Sequence, residues 1–269
     1  MKRQQENGNL NPRYPKLLLT GTSINYLRWN NVYMTVWWGL SFPGFGQWYQ
    51  GRYFYGLVLI VWEFFINVMA HLNTAIYYTM AGRFKEAGDV LDQRWFLMYI
   101  AIYIFAVWDS YFTGVELNRR GAVAEHEPQS LKSFSLNSLS VDFLMFRDPR
   151  LGIIWSLLVP GAGHFWLQRK VLAVFFFVCW MMTVYMSGLP QGVLATFLGD
   201  AGGIGRAFDP QWFLFIPSLY MFACYDTYVS TCRLNELFME EQEKYLTVSW
   251  GRASTGKIAF PKAKEGGGT

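Results

Sequence analysis

The chain has 269 residues, of which 52% are hydrophobic, 19% aromatic and only 16% charged. Soluble domains carry nearer a quarter charged residues, which argues against a soluble fold and for a multi-pass helical membrane protein. The net charge of +4 lies in the tails, an arrangement that suits anionic headgroups and the positive-inside rule and disfavours nucleic acid as a partner.

Residues 1–31 read as a polar cytoplasmic arm carrying Lys2, Arg3, Arg13, Lys16 and Arg28. It has no apolar segment of the signal-peptide kind, and it is expected to settle on the membrane surface near Tyr26 and Trp29. Residues 32–42 are apolar, but an 11-residue helix covers only about 16 Å, roughly half a bilayer. The run then meets Pro43-Gly44-Phe45-Gly46. Proline removes a donor there, and glycine admits unusual dihedrals. Irregular backbone at membrane depth is tolerated only where protein or water satisfies it. The segment is therefore either a kinked crossing or a re-entrant half-helix. Residues 53–72 read as a full span, 74–94 as a hydrophilic loop with room for a surface helix, and 95–115 as a second span opening on an interfacial Trp95.

The stretch from Pro43 to Arg52 returns 117 residues later as Pro160-Gly161-Ala162-Gly163-His164-Phe165-Trp166-Leu167-Gln168-Arg169. The same offset aligns Trp95-Phe96-Leu97 with Trp212-Phe213-Leu214, Asp109 with Asp226, and Asn118 with Asn235. Across residues 95–118, 10 of 24 positions are identical without a gap. One offset held over two separate segments indicates an internal duplication.

The expected fold class is an all-α membrane protein. It has two tandem repeats, each a broken or re-entrant short helix plus two transmembrane helices. Repeat 1 occupies 32–118 and repeat 2 occupies 150–235, with spans at 170–188 and 212–232. Residues 119–149 form a polar linker whose amphipathic end, 141–147, is expected as an interfacial helix. Residues 236–269 continue the last helix into a cytoplasmic tail. Leu237, Phe238 and Tyr245 can share a face there and are candidates for partner binding. The glycine-rich stretch after Gly199 lacks the Gly-Lys-Ser/Thr of a phosphate loop and reads as a flexible connection.

Lysine and arginine counts bear on topology. Two crossings per repeat place 19 on the side of the termini and 4 on the other; three crossings place 16 and 7. The positive-inside rule favours the first, with both termini cytoplasmic in a bacterial inner membrane.

Polar residues inside the apolar segments are few. Asp109 with Thr113 and Asp226 with Ser230 sit four apart on one helix face. They are expected either to capture backbone donors freed at the Pro-Gly breaks or to handle protons or ions. Glu63, Asn67 and His71 make a stripe that the second copy lacks. Gly56 lies on the same face and admits a close neighbour. His164, which aligns with Gln47, is expected to partner broken backbone. Cys179, Cys224 and Cys232 read as buried apolar residues. No nucleophile–base or metal-ligand constellation is evident, so no catalytic residue, metal or cofactor is expected.

The order Pro43, Gly44, Gly46, Tyr49, Gly51, with a later Asp109, resembles the Pro-Gly-x-Gly-x-x-Tyr-x-Gly signature of TM2-type membrane domains. Pro160, Gly161, Gly163 and Asp226 carry it in the second copy, where Trp166 replaces the tyrosine and Gln168 the last glycine. The resemblance implies a membrane-embedded interaction role without shared catalysis. The expected function is a non-enzymatic integral subunit or scaffold of a membrane complex, in contact with lipid and protein partners. The alternative is a small transporter or channel component that uses the broken helices and the intramembrane acids.

Overall fold

A computed structural model describes residues 17–20, 23–26, 31–125, 134–137, 140–200 and 208–250. The surface contact at Trp29, the linker residue His126, most of the glycine-rich connection and the final tail lie outside them. Two short hairpins are present: β1 (Leu17–Thr20) with β2 (Ser23–Tyr26), and β3 (Phe134–Asn137) with β4 (Ser140–Phe143). Both are antiparallel, with Leu17 opposite Tyr26 and Phe134 opposite Phe143. After the first hairpin come α1 (Val32–Ser41), α2 (Phe45–Tyr49), α3 (Tyr53–Ala70), α4 (Leu72–Met80), α5 (Phe84–Val90) and α6 (Gln93–Glu125). After the second come α7 (Pro149–Leu158), α8 (Ala162–Trp166), α9 (Lys170–Met186), α10 (Leu189–Phe197), α11 (Pro210–Phe213) and α12 (Phe215–Trp250).

Seven pairs of elements begin 117 residues apart: Leu17 and Phe134, Ser23 and Ser140, Val32 and Pro149, Phe45 and Ala162, Tyr53 and Lys170, Leu72 and Leu189, and Gln93 and Pro210. Local chemistry explains the helix starts. The Asn31 side chain accepts from the amides of Tyr33 and Met34, and Asp148 caps α7 ahead of Pro149 at the first helical position. The amide of Asp92 donates to Ala70 O, and 117 residues on the amide of Asp209 donates to Ser187 O. Each bond clips the return strand of chain to the end of a long helix.

Helices α3 and α6 are long and apolar enough to cross a membrane. α9 and α10 make a third span if the pair, bent by 55°, is counted as one. α12 is not among them. Its apolar stretch carries Asp226, Thr227, Ser230 and Thr231, which lower its hydropathy. The loop expected at 74–94 is largely helical, as α4 and α5.

The Pro-Gly segments turn the chain back on itself. Helix α1 lies against α6, with Val32 near Gly114 at its start and the Leu40 carbonyl bonded to Tyr103 near its end. The chain then rises again: Gln47 reaches Ala106 O, Gln50 reaches Ser110 O and Arg52 reaches Thr113. It leaves within a turn of where it came in. Gly44 makes this possible at φ 101°, ψ −27°, values that Gly161 repeats. A Cβ on Gly44 would meet Gly56 O at 2.6 Å; one on Gly161 would meet Ala173 O at 2.5 Å. Gly56 itself lies under the Trp48 ring, so the close neighbour that it admits is the chain's own hairpin.

An aromatic core joins the two halves. Trp38, Phe42, Phe45 and Trp48 pack on Phe176, Phe215 and Phe222, with the Phe45 and Phe222 ring centroids 4.3 Å apart. Such pairs contribute about 0.5–1.5 kcal/mol beyond their area.

Two expectations are corrected. Residues 141–147 are not an interfacial helix: β4 covers Ser140–Phe143, and residues 144–148 form no regular element before α7. Ser140, Val141, Asp142 and Phe143 alternate with the period of a strand, and Pro149 holds its predecessor out of the helical region. Leu237 is buried against Leu144, Leu167 and Leu234, with Phe238 packed beside it. Only Tyr245 of the supposed docking face is exposed. Asn235 and Arg147 fasten this contact by exchanging bonds of 2.9 and 2.7 Å.

The two glycines of the first break give a graded test. Gly51 has φ 81° but nothing within 4 Å of an added Cβ. Gly51→Ala should therefore cost only the left-handed strain, about 1–2 kcal/mol. Gly44→Ala adds a clash with backbone and should lose considerably more. Thermal unfolding of both variants in detergent measures the difference.

Candidate functional site

Among the described residues, three polar clusters lie inside the bundle, and the Pro-Gly hairpins position two of them. In the first, Asp109 on α6 faces the turn between α2 and α3. Its Oδ2 accepts from Arg52 Nη1 at 2.6 Å and from Gln47 Nε2 at 3.0 Å; Arg52 Nη1 also donates to Thr113 Oγ1 at 3.0 Å. In the second, Asp226 on α12 faces the turn between α8 and α9. Its Oδ2 accepts from Arg169 Nη1 at 2.6 Å and lies 3.2 Å from His164 Nε2. Arg169 Nη1 also donates to Ser230 Oγ, and Arg169 Nη2 to the Tyr53 hydroxyl of the other half at 2.7 Å. Gln47 and His164, Arg52 and Arg169, Asp109 and Asp226, and Thr113 and Ser230 each stand 117 apart.

Both acids bind side chains here, an arginine in each case. Gln47 supplies the backbone contact instead, through Ala106 O. His164 likewise meets Asp226 and, through Nδ1 at 3.4 Å, Thr227 Oγ1. Ser156 lies 3.0 Å from Thr227. Asp226, His164 and Thr227 thus line up in the order of a hydrolytic triad. Yet His164, Thr227 and Ser156 are wholly buried, and Arg169 already neutralises the aspartate. No substrate can reach that hydroxyl in this conformation. Both clusters act as clasps between hairpin and long helix.

The two clasps differ in wetness. The Arg169–Asp226 side chains are 3% and 2% exposed, against 24% and 16% for Arg52–Asp109. A guanidinium and a carboxylate this deep are tolerable only together.

The third cluster is built on α3. Asn67 Nδ2 donates to Glu63 Oε1 at 2.9 Å and to Asn73 Oδ1 at 3.2 Å. Asn67 Oδ1 accepts from the amide of Asn73 and from Gln211 Nε2 at 2.7 Å. Asn73 Nδ2 donates to Gln211 O, and Gln211 Oε1 accepts from Thr74. The network ties α3 and α4 of the first half to α11 of the second. His71 is not part of it. Helix α3 stops at Ala70, and His71 takes φ 53° in an exposed turn, so the stripe ends at Asn67.

Sequence reasoning missed Arg52, Arg169, Asn73 and Gln211. The arginines were findable, because they repeat at the offset that marks the aspartates. Asn73 and Gln211 have no such signal: Pro190 and Arg94 stand at the corresponding places. Among the described residues, no group of three or more His, Cys, Asp and Glu side chains is gathered as a metal would require. No protein-family model, curated protein or solved structure matches the chain.

Breaking one clasp leaves a cation without its counter-charge, and the penalty scales with burial. Asp226→Ala should lose about 3–5 kcal/mol, the range for an orphaned partner of a buried pair. Asp109→Ala, at a half-wet site, should lose about 1.5–3 kcal/mol. Unfolding midpoints of the two variants in one detergent check both the order and the gap.

Proposed function

We propose that the chain is a non-enzymatic integral membrane scaffold made by tandem duplication of one TM2-like, re-entrant unit. Each unit crosses twice, so the protein is multi-pass with both termini cytoplasmic, in a bacterial inner membrane. The shared offset of hairpins, breaks, cap bonds and clasps supports the duplication. The return of each hairpin beside its own long helix supports two crossings per unit, as the charge count does.

One observation carries the scaffold reading. The first hairpin is covered by the second half, with Trp38 and Trp48 only 7% and 4% exposed. The corresponding residues of the second hairpin, Trp155 and Phe165, are 47% and 50% exposed. The faces that cover the first hairpin centre on Phe175, Phe222 and Tyr225. Their counterparts in the first half, Val58, Phe105 and Trp108, are exposed as well. The chain therefore ends in one bare copy of each side of its own internal interface. Its occupant is a second copy, docked head to tail. Contacts of that kind propagate into rings or filaments. The interface would be less aromatic than the internal one, since Ala162 stands where Phe45 does.

Transport draws less support. A path would use the intramembrane aspartates, and both are already held by arginine.

Cross-linking tests the assembly. With Cys179, Cys224 and Cys232 replaced by alanine, Trp155→Cys and Phe105→Cys variants are co-expressed and oxidised in membranes. Disulfide-linked dimers are expected from the mixture and not from either variant alone. A lack of cross-links together with single-step photobleaching in native membrane would overturn the reading.

A further inference from the structure

Beside Glu63 lies an open cavity of about 320 Å³, at the end of the bundle where α1 and α3 finish and α6 and α12 begin. That is within the range of small-ligand sites. Its lining includes the polar Glu63, Asn67 and Asn73, the tyrosines Tyr99 and Tyr103, and the apolar Phe42 and Phe215. Glu63 is 3% exposed. Its Oε1 takes the Asn67 amide, but Oε2 is buried and accepts no hydrogen bond.

The network around the carboxyl offers it nothing more. Asn67 uses both of its N–H groups, on Glu63 and Asn73, and Gln211 Nε2 bonds to Asn67. Tyr99 interacts with the carboxyl and the Tyr103 hydroxyl is committed to Leu40 O at 2.7 Å, yet Oε2 has no donor within hydrogen-bond distance. A buried acceptor left empty costs about 1–3 kcal/mol, more when it is charged. The Asn67 amide fixes the carboxyl in the cavity wall. The tyrosine rings, 5.5 Å apart between centroids, line the cavity, and aromatic rings favour a cation. The second half has no counterpart, because Trp180 replaces Glu63.

We propose that this cavity binds a primary ammonium group, with Glu63 Oε2 as its counter-charge and acceptor and the two tyrosines as its aromatic wall. The group has two chemical sources: the headgroup of phosphatidylethanolamine entering between helices, or a soluble primary amine. The apolar side by Phe42 and Phe215 takes the carbon adjoining the nitrogen in either case. This site goes beyond the scaffold reading and does not depend on self-assembly.

The full chain in detergent is titrated with n-hexylammonium and with tetramethylammonium, which has charge but no N–H, and unfolding temperature is followed. Lipid retention is read in parallel by native mass spectrometry from mixed phosphatidylethanolamine and phosphatidylcholine nanodiscs. Glu63→Gln keeps the shape and the Asn67 contact and serves as the comparison. A saturable rise with n-hexylammonium, at least tenfold weaker in Glu63→Gln and absent with tetramethylammonium, supports a soluble amine. Selective retention of phosphatidylethanolamine by wild type and not by Glu63→Gln supports the lipid. Equal behaviour of wild type and Glu63→Gln in both arms, or an equal response to tetramethylammonium, overturns the proposal.

Discussion

An arginine at the end of each helical hairpin, bonded to an aspartate on the long helix behind it, is the contact on which the remaining structure depends. An aspartate in an apolar helix costs roughly 2.5–3.5 kcal/mol at the membrane centre, and an arginine costs about as much. Each becomes tolerable only when the other arrives. Arg52 and Arg169 can arrive because Gly44 and Gly161 let the chain double back within a few residues. The short helix, the left-handed glycine and the paired charges are therefore one solution to one problem. Removing any of them strands polar groups, with little access to water at Arg169–Asp226 and with partial access at Arg52–Asp109.

The halves share that solution and differ in what surrounds it. In the second, Tyr53 from the first half also reaches Arg169 and seals the pair from water. In the first, the pair is partly wet, and the specialised chemistry moves to the far end of α3. Glu63, Asn67, Asn73 and Gln211 there join the halves through bonds that have no counterpart 117 residues away. Aromatic packing between the first hairpin and α9 and α12 does the rest of the joining. The outcome is an uneven pair, with one hairpin covered and one bare.

Much of this was legible in the residues. Composition announced the apolar helices, and the offset of 117 marked the breaks and aspartates. The N-terminal hairpin and its partner at Phe134 escaped notice because only Leu19 with Leu136 and Ser23 with Ser140 are identical there. Backbone pairing needs alternation rather than particular side chains, so it survives sequence drift that hides it. The amphipathic look of 141–147 misled because seven residues cannot separate a helical period from a strand. His71 looked like the third member of a stripe, and its φ of 53° takes it out. Such a turn in a residue other than glycine leaves no mark in the sequence. Asn73 and Gln211 meet across 138 positions, a contact that no local pattern could propose.

The return of the hairpin is the claim most directly open to measurement. Single cysteines at Asn31 and Gly51 flank the first hairpin, both at exposed positions. A membrane-impermeant thiol reagent, applied to oriented vesicles with the native cysteines removed, reads the side on which each lies. Labelling of both from the side that holds the C-terminus is the result predicted. Labelling from opposite sides would show that the short helix crosses, and the clasp could not then be what turns it back.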